Sequence, residues 1–252
     1  MPFDPVELAK ETERLVVRGD LRRYYRVARP GKWYGGIATS DCCGCNLRCV
    51  FCWSGAPRDS PADIGSFYSP AQIFDRLTGC ARRFGYRQLR VSGNEPTLGS
   101  THMLGLLELL DRTDYAFILE TNGIMLGHEP GYAGRLSEFG RVHVRVSLKG
   151  TNPQEFSRLT GAAPQGFELQ LNALRNLTNA GVPCHAAVML SFSSEQGFEE
   201  LLERLRDIHH GLAENAEKEY VFLYPGVVGR LRAAGVEPTV AYEPSRIPKD
   251  LV

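Results

Sequence analysis

Gln88-Leu89-Arg90-Val91-Ser92-Gly93-Asn94-Glu95-Pro96 is the stretch on which the fold turns. Gln88 to Ser92 reads as a strand, and Gly93 with Pro96 breaks it into a turn. The segment before it, Ser69 to Phe84, reads as a helix: Ser69 can cap, Pro70 suits the first turn and Gly85 suits the exit. Working outward, Thr101 to Leu110 predicts a helix and Tyr115 to Glu120 a strand. Val142 to Leu148, His185 to Leu190 and Tyr220 to Tyr224 follow as strands, with helices at Gly166 to Ala180 and Glu195 to His209 between them. In the other direction, Gly35 to Ser40 predicts the first strand, and a helical segment starts near Asp4. Strands alternating with helices imply right-handed βαβ units and a mostly parallel sheet, so the class is α/β and six units make a partial (βα)6 TIM-like barrel. The expected organisation is an N-terminal helical segment over 1–34, the partial barrel over 35–228, and a proline-containing surface tail over 229–252.

The totals fit one such domain. Of 252 residues, 43% are hydrophobic and 23% charged, ordinary for a globular protein. No apolar run approaches the roughly 20 residues that span a bilayer. The start, Met1-Pro2-Phe3-Asp4-Pro5, carries acid and proline where a signal peptide carries base and a long apolar core, so the expected location is the cytoplasm. The 29 basic and 29 acidic residues balance, which argues against a broad nucleic-acid footprint. Lys10, Arg14, Arg18, Arg22, Arg23, Arg26, Arg29 and Lys32 recur at near-helical intervals and read as the solvated face of one or two helices.

Chemistry concentrates just after the first predicted strand, in Cys45-Asn46-Leu47-Arg48-Cys49-Val50-Phe51-Cys52. Three soft thiolates so closely spaced can hold three irons of a cubane and leave the fourth iron open to a small ligand. Structural zinc would want a fourth Cys or His from a second pair; Cys42 or Cys43 could complete four thiolates locally, and no second Cys-x-x-Cys pair follows. Four of the seven cysteines fall within Cys42 to Cys49, a clustering that points to metal or redox chemistry rather than a disulfide framework. Cys42 and Cys43 read as small residues in a tight turn, and Cys80 and Cys184 as small buried hydrophobes.

The spacing and the aromatic before the last cysteine resemble the radical S-adenosylmethionine (SAM) superfamily. Gly93-Asn94-Glu95-Pro96 resembles the Gly-Gly-Glu-Pro segment with which that family holds the amino group of SAM; Asn94 replaces the second glycine, and asparagine tolerates a left-handed backbone. Glu120-Thr121-Asn122-Gly123 and Ser147-Leu148-Lys149-Gly150 look like strand-end segments of glycyl-radical-enzyme activases, with Ser147 in place of their aspartate; Glu-Thr-Asn-Gly is similar to a run in 7-carboxy-7-deazaguanine synthases. The resemblance implies a [4Fe-4S] cluster on Cys45, Cys49 and Cys52, and SAM contacts from Gly93, Asn94, Glu95, Thr121, Asn122, Ser147 and Lys149. It implies an oxidoreductase that reductively cleaves SAM to a 5′-deoxyadenosyl radical, fed by an electron donor such as flavodoxin or ferredoxin. No general base is needed for that step, so no catalytic side chain is named. The expected substrate is a peptide or protein segment; the alternatives are a small metabolite or nucleobase-like molecule, or a non-catalytic zinc or iron–sulfur redox protein. Phe51 and Trp53 suit either a cover over the cluster or core packing.

Overall fold

Ser69 caps its helix as the sequence predicts: its side chain accepts from the Gln72 amide at 3.3 Å while Gln72 accepts from the Ser69 amide at 2.9 Å. Pro70 sits in the first turn, and Gly85 leaves it with φ of 71°. This helix is one of eleven in the computed structural model, which describes residues 1–248. In chain order the elements are α1 (Pro5–Val16), β1 (Val17–Arg18), β2 (Leu21–Gly31), β3 (Ile37–Cys42), α2 (Gly55–Asp59), β4 (Ser66–Tyr68) and α3 (Pro70–Phe84). Then come β5 (Gln88–Ser92), α4 (Ser100–Leu110), β6 (Ala116–Thr121), α5 (Ile124–His128), α6 (Pro130–Leu136), β7 (Val142–Leu148), α7 (Pro153–Thr160) and α8 (Gly166–Asn179). The last are β8 (Cys184–Met189), α9 (Glu195–Ile208), α10 (His210–Glu214), β9 (Glu217–Glu219), β10 (Val221–Phe222), α11 (Pro225–Ala234) and β11 (Ala241–Tyr242).

Six strands, β3-β5-β6-β7-β8-β9, pair in parallel in that order and form the partial barrel. Alternation sorts their side chains into two faces. Leu89 and Val91, Phe117 and Leu119, Val144 and Val146, and Ala186 and Val188 join the buried core. The intervening Arg90, Ser92, Glu120, Arg145, Ser147 and His185 point the other way and bond to one another or to Glu217 of β9 across the inside of the sheet. A barrel interior is ordinarily filled by branched aliphatics. Here it is charged.

Three expectations need correction. The N-terminal helix stops at Val16, and the following stretch is the antiparallel β1–β2 pair, with β2 running on to pair with β3 and β4. Tyr24, Tyr25 and Val27 favour a strand, and alternation buries Arg22 and Tyr24 to 1% exposure each, so the basic residues do not share a helical face. Arg22 instead donates to the carbonyls of Leu98, Val16 and Glu95. The sixth parallel strand is Glu217–Glu219, not Tyr220 to Tyr224; Val221 and Phe222 pair with Ala241 and Tyr242 in a separate sheet. The expected tail begins inside α11, which starts at Pro225 and exits at Gly235 with φ of 62°, while residues 249–252 lie outside the described residues. No helix among the described residues is long and apolar enough to cross a membrane.

Candidate functional site

β3 ends at Cys42, and the chain turns at Gly44 with φ of 81° into the cysteine loop. A Cβ on Gly44 would fall 2.7 Å from Thr12 and 2.9 Å from Val16, so the turn needs glycine. Asn94 fastens both ends of the loop: its Oδ1 accepts from the Gly44 amide at 3.0 Å and its Nδ2 donates to the Ser54 carbonyl at 3.0 Å. The amides of Arg48 and Val50 donate to Thr160 and Leu159 at the end of α7, and Asn46 donates to Pro5 at the start of α1. Asn94 is therefore more than a tolerated replacement for glycine. The left-handed residue of the turn is Gly93, with φ of 98° and a Cβ position 2.9 Å from Asp41, whereas Asn94 is not left-handed. Asn94→Gly is expected to weaken the apoprotein by about 1–3 kcal/mol and to speed amide hydrogen exchange between residues 44 and 54, read by mass spectrometry.

The three spaced cysteines sit in one electrostatic neighbourhood. Burial pushes the Cys45 thiol well above its usual range, and Glu95 and Cys49 add to the shift. Burial also pushes Cys49 up to about 11, opposed by the Lys149 ammonium and reinforced by Cys52. Such thiols resist ionising alone, and iron offsets that cost because it binds the thiolate form. Among the described residues no group of three or more His, Cys, Asp or Glu side chains is drawn together to hold a single metal ion. A cubane takes one thiolate per iron and spreads the three sulfurs over its corners, which suits these donors.

The strand-end motifs meet this loop from the side. Glu95, 1% exposed, accepts from the Thr97 amide at 3.0 Å and hydroxyl at 2.7 Å, from the Thr121 hydroxyl at 2.7 Å and from the Asn122 amide at 2.8 Å. Its carboxylate thus joins the ends of β5 and β6, a task the resemblance did not imply. Asn122 Nδ2 donates to Asn46 at 2.7 Å and approaches Cys45 Sγ at 3.7 Å. Ser147 accepts from Arg145 at 2.8 Å, and Lys149 Nζ stands 3.9 Å from Glu219 and 5.9 Å from the Phe51 ring centre. Phe51 packs in the core against Phe192, whereas Trp53 is exposed.

Sequence reasoning passed over several residues here. Buried Gln170 on α8 donates to the carbonyls of Asn122 and Ser147 and accepts from the Lys149 amide, holding the ends of β6 and β7 in register. A polar residue on the apolar face of a helix, between Phe167 and Leu174, was the available signal. Inside the barrel, Arg90 pairs with Glu120 at 2.6 Å, and Arg145 pairs with Glu217 at 2.7 Å and lies 3.5 Å from Glu219. Burial works against the Glu217 carboxylate, yet Arg145 and His185 hold it down to about 2. Glu219 Oε2 is buried without a hydrogen-bond partner among the described residues.

Comparison with known proteins adds the family context. The family model described as the radical SAM superfamily matches residues 40–205. A probable GTP 3′,8-cyclase of Methanosarcina acetivorans is 30% identical over 155 residues, 60% of this chain and 44% of the relative. That of Methanosarcina mazei is 28% identical over 181 residues, 70% and 52% respectively, and the GTP 3′,8-cyclase of Peptoclostridium acidaminophilum is 31% identical over 142, 55% and 41%. The chain spans about half the length of the curated relatives it matches. These relatives bear the cyclase name, not that of the activases or deazaguanine synthases to which the motifs were likened. Among solved structures, Streptococcus suis SuiB bound to SAM aligns with a TM-score of 0.58 at 16% identity, over 76% of this chain and 44% of that one. A spore photoproduct lyase variant aligns with a TM-score of 0.54 at 17% identity, over 75% and 58%. Both likenesses concern the fold.

Proposed function

The chain belongs to the radical SAM superfamily, and from that premise we propose that it is an enzyme acting on a small, polar, nucleotide-like molecule. Cys45, Cys49 and Cys52 would hold the family's [4Fe-4S] cluster, with SAM bound beside it. When bound and reduced, for example by a flavodoxin or ferredoxin, that pair supplies a 5′-deoxyadenosyl radical that takes a hydrogen atom from the substrate. The chain's own residues bind and orient. Backbone oxygens of Gly93 and Asn94 would receive the SAM ammonium and Lys149 its carboxylate, with Thr121, Asn122 and Ser147 on the same edge. The Glu95 carboxylate serves this site by fixing Thr121 and Asn122.

The observation that carries the substrate class is the charged barrel interior with an unpartnered Glu219 Oε2. A buried acceptor left without a donor costs about 1–3 kcal/mol, and among the described residues the Lys149 ammonium approaches that oxygen at 3.9 Å without a hydrogen bond. With Lys149 assigned to SAM, Glu219 Oε2 offers an acceptor at the rim of the charged interior to a small molecule bearing N–H groups, as a nucleobase does. An extended peptide would draw mainly on main-chain pairing and apolar pockets. The names of the curated relatives support the small-molecule reading over the peptide one. The test is deuterium transfer: reduced, reconstituted enzyme with SAM is offered ribose-deuterated nucleotides or deuterated peptides, and 5′-deoxyadenosine is weighed. Label arriving from a nucleotide is expected. Label arriving from peptides alone would overturn the reading.

A further inference from the structure

Three arginines from different parts of the chain end on the backbone carbonyls of the three spaced cysteines. Arg48 Nη1 donates to Cys45 at 2.7 Å, Arg58 Nη1 to Cys49 at 2.6 Å, and Arg230 Nη2 to Cys52. Arg48 lies within the loop and shares its Nη1 with the Leu47 carbonyl. Arg58 comes from α2, with its side chain 7% exposed, and its remaining donors go to the half-exposed Asp59 at 2.7 and 2.9 Å. Arg230 comes from α11, 178 residues beyond Cys52 and outside the segment matched by the family model. Gly55 makes room for it: a Cβ there would overlap the guanidinium.

We propose that Arg58 and Arg230 are positioning residues of the cluster that also set its reduction potential. A carbonyl held by a guanidinium fixes its peptide plane, and with it the direction in which the cysteine Cβ points. The charge acts as well. Reduction adds one negative charge to a site that already carries three thiolates, and net charge and hydrogen bonding around a cluster govern its potential. A fixed, desolvated guanidinium favours that added charge more than mobile water does. Asp59 opposes Arg58, so the two residues carry opposite signs of effect. The C-terminal helix is thus a working part of the redox site, although nothing in its sequence marks it so. This inference rests on the cluster being at Cys45, Cys49 and Cys52, which iron and sulfide content checks independently.

The experiment is a redox titration of the reconstituted protein followed by electron paramagnetic resonance. Arg58→Gln and Arg230→Gln are each expected to move the reduction equilibrium about tenfold toward the oxidised cluster, about 59 mV lower for a one-electron couple. Arg230→Lys, which keeps the charge, should recover most of the shift. Asp59→Asn, which removes the half-exposed carboxylate that pairs with Arg58, should move the potential the opposite way. In the apoprotein, Arg230→Gln should speed hydrogen exchange over residues 50–55, a readout that does not depend on cluster loading. Unchanged potentials at full iron and sulfide content would overturn the electrostatic role, as would a Lys variant shifted as far as its Gln counterpart. Unchanged exchange in Arg230→Gln would overturn the positioning role.

Discussion

Cys45→Ala, Cys49→Ala and Cys52→Ala are each expected to reduce dithionite-dependent release of 5′-deoxyadenosine from SAM to background, with loss of the four-iron optical and spin signals. In the proposed site each thiolate would serve one corner of the cubane, so removal of one would leave an iron without a protein ligand. The neighbouring thiols are poor substitutes. Cys42 and Cys43 are fully buried behind the turn, Cys43 donates to the Ile64 carbonyl at 3.3 Å, and burial pushes the two thiols up to about 11 and about 12. Cys42 is the last residue of β3 and Cys43 is tied to Ile64, so both lie before the loop that carries the three spaced cysteines. Cys43→Ala is accordingly expected to retain the cluster and SAM cleavage, and serves as the matched control. Cleavage that survived all three Ala substitutions would remove the site from this loop.

Local signals were legible in the sequence where a residue's own conformational preference decided the outcome. Ser69, Pro70 and Gly85 bounded their helix because capping, a fixed φ and a left-handed exit are properties of single residues. Val142–Leu148 was readable at both ends because alternate valines have nowhere to go except a sheet buried on its helix side. The misreadings came where pairing partners decide. Leu21–Gly31 became a strand because β3 and β4 offered it edges to pair with, and helical spacing of its arginines carried no weight against that. Tyr220 to Tyr224 looked the better sixth strand on β-propensity, yet register with β8 selected Glu217–Glu219, which brings Glu217 and Glu219 to Arg145. At the site, spacing exposed the cysteines, Glu95 and Asn122, each beside a turn. Arg58, Arg230 and Glu219 were silent because a single long polar side chain on a helix or strand reads as solvated until the fold supplies its partner.

Glu95→Ala is expected to cost the apoprotein about 3–5 kcal/mol, measured by denaturant unfolding without iron or SAM. The carboxylate accepts four hydrogen bonds, from the amide and hydroxyl of Thr97, the Thr121 hydroxyl and the Asn122 amide. Alanine leaves two buried amides without an acceptor, the costly side of the asymmetry between unmade and replaced bonds. The loss should propagate to the cluster loop through Asn122, whose side chain holds Asn46 and faces Cys45 Sγ. Iron retention should therefore fall together with stability. Glu95→Gln keeps the volume and one acceptor oxygen, so three bonds to Oε1 survive while the new amide group faces the Asn122 N–H, and the cost should be about half as large. The motif resemblance leads to a different expectation, in which Glu95 is a SAM ligand: the apoprotein would keep its stability and only SAM affinity would suffer. Unfolding curves of Glu95→Ala and the parent that coincide, with a raised Kd for SAM, would establish that role and remove the strand-joining one.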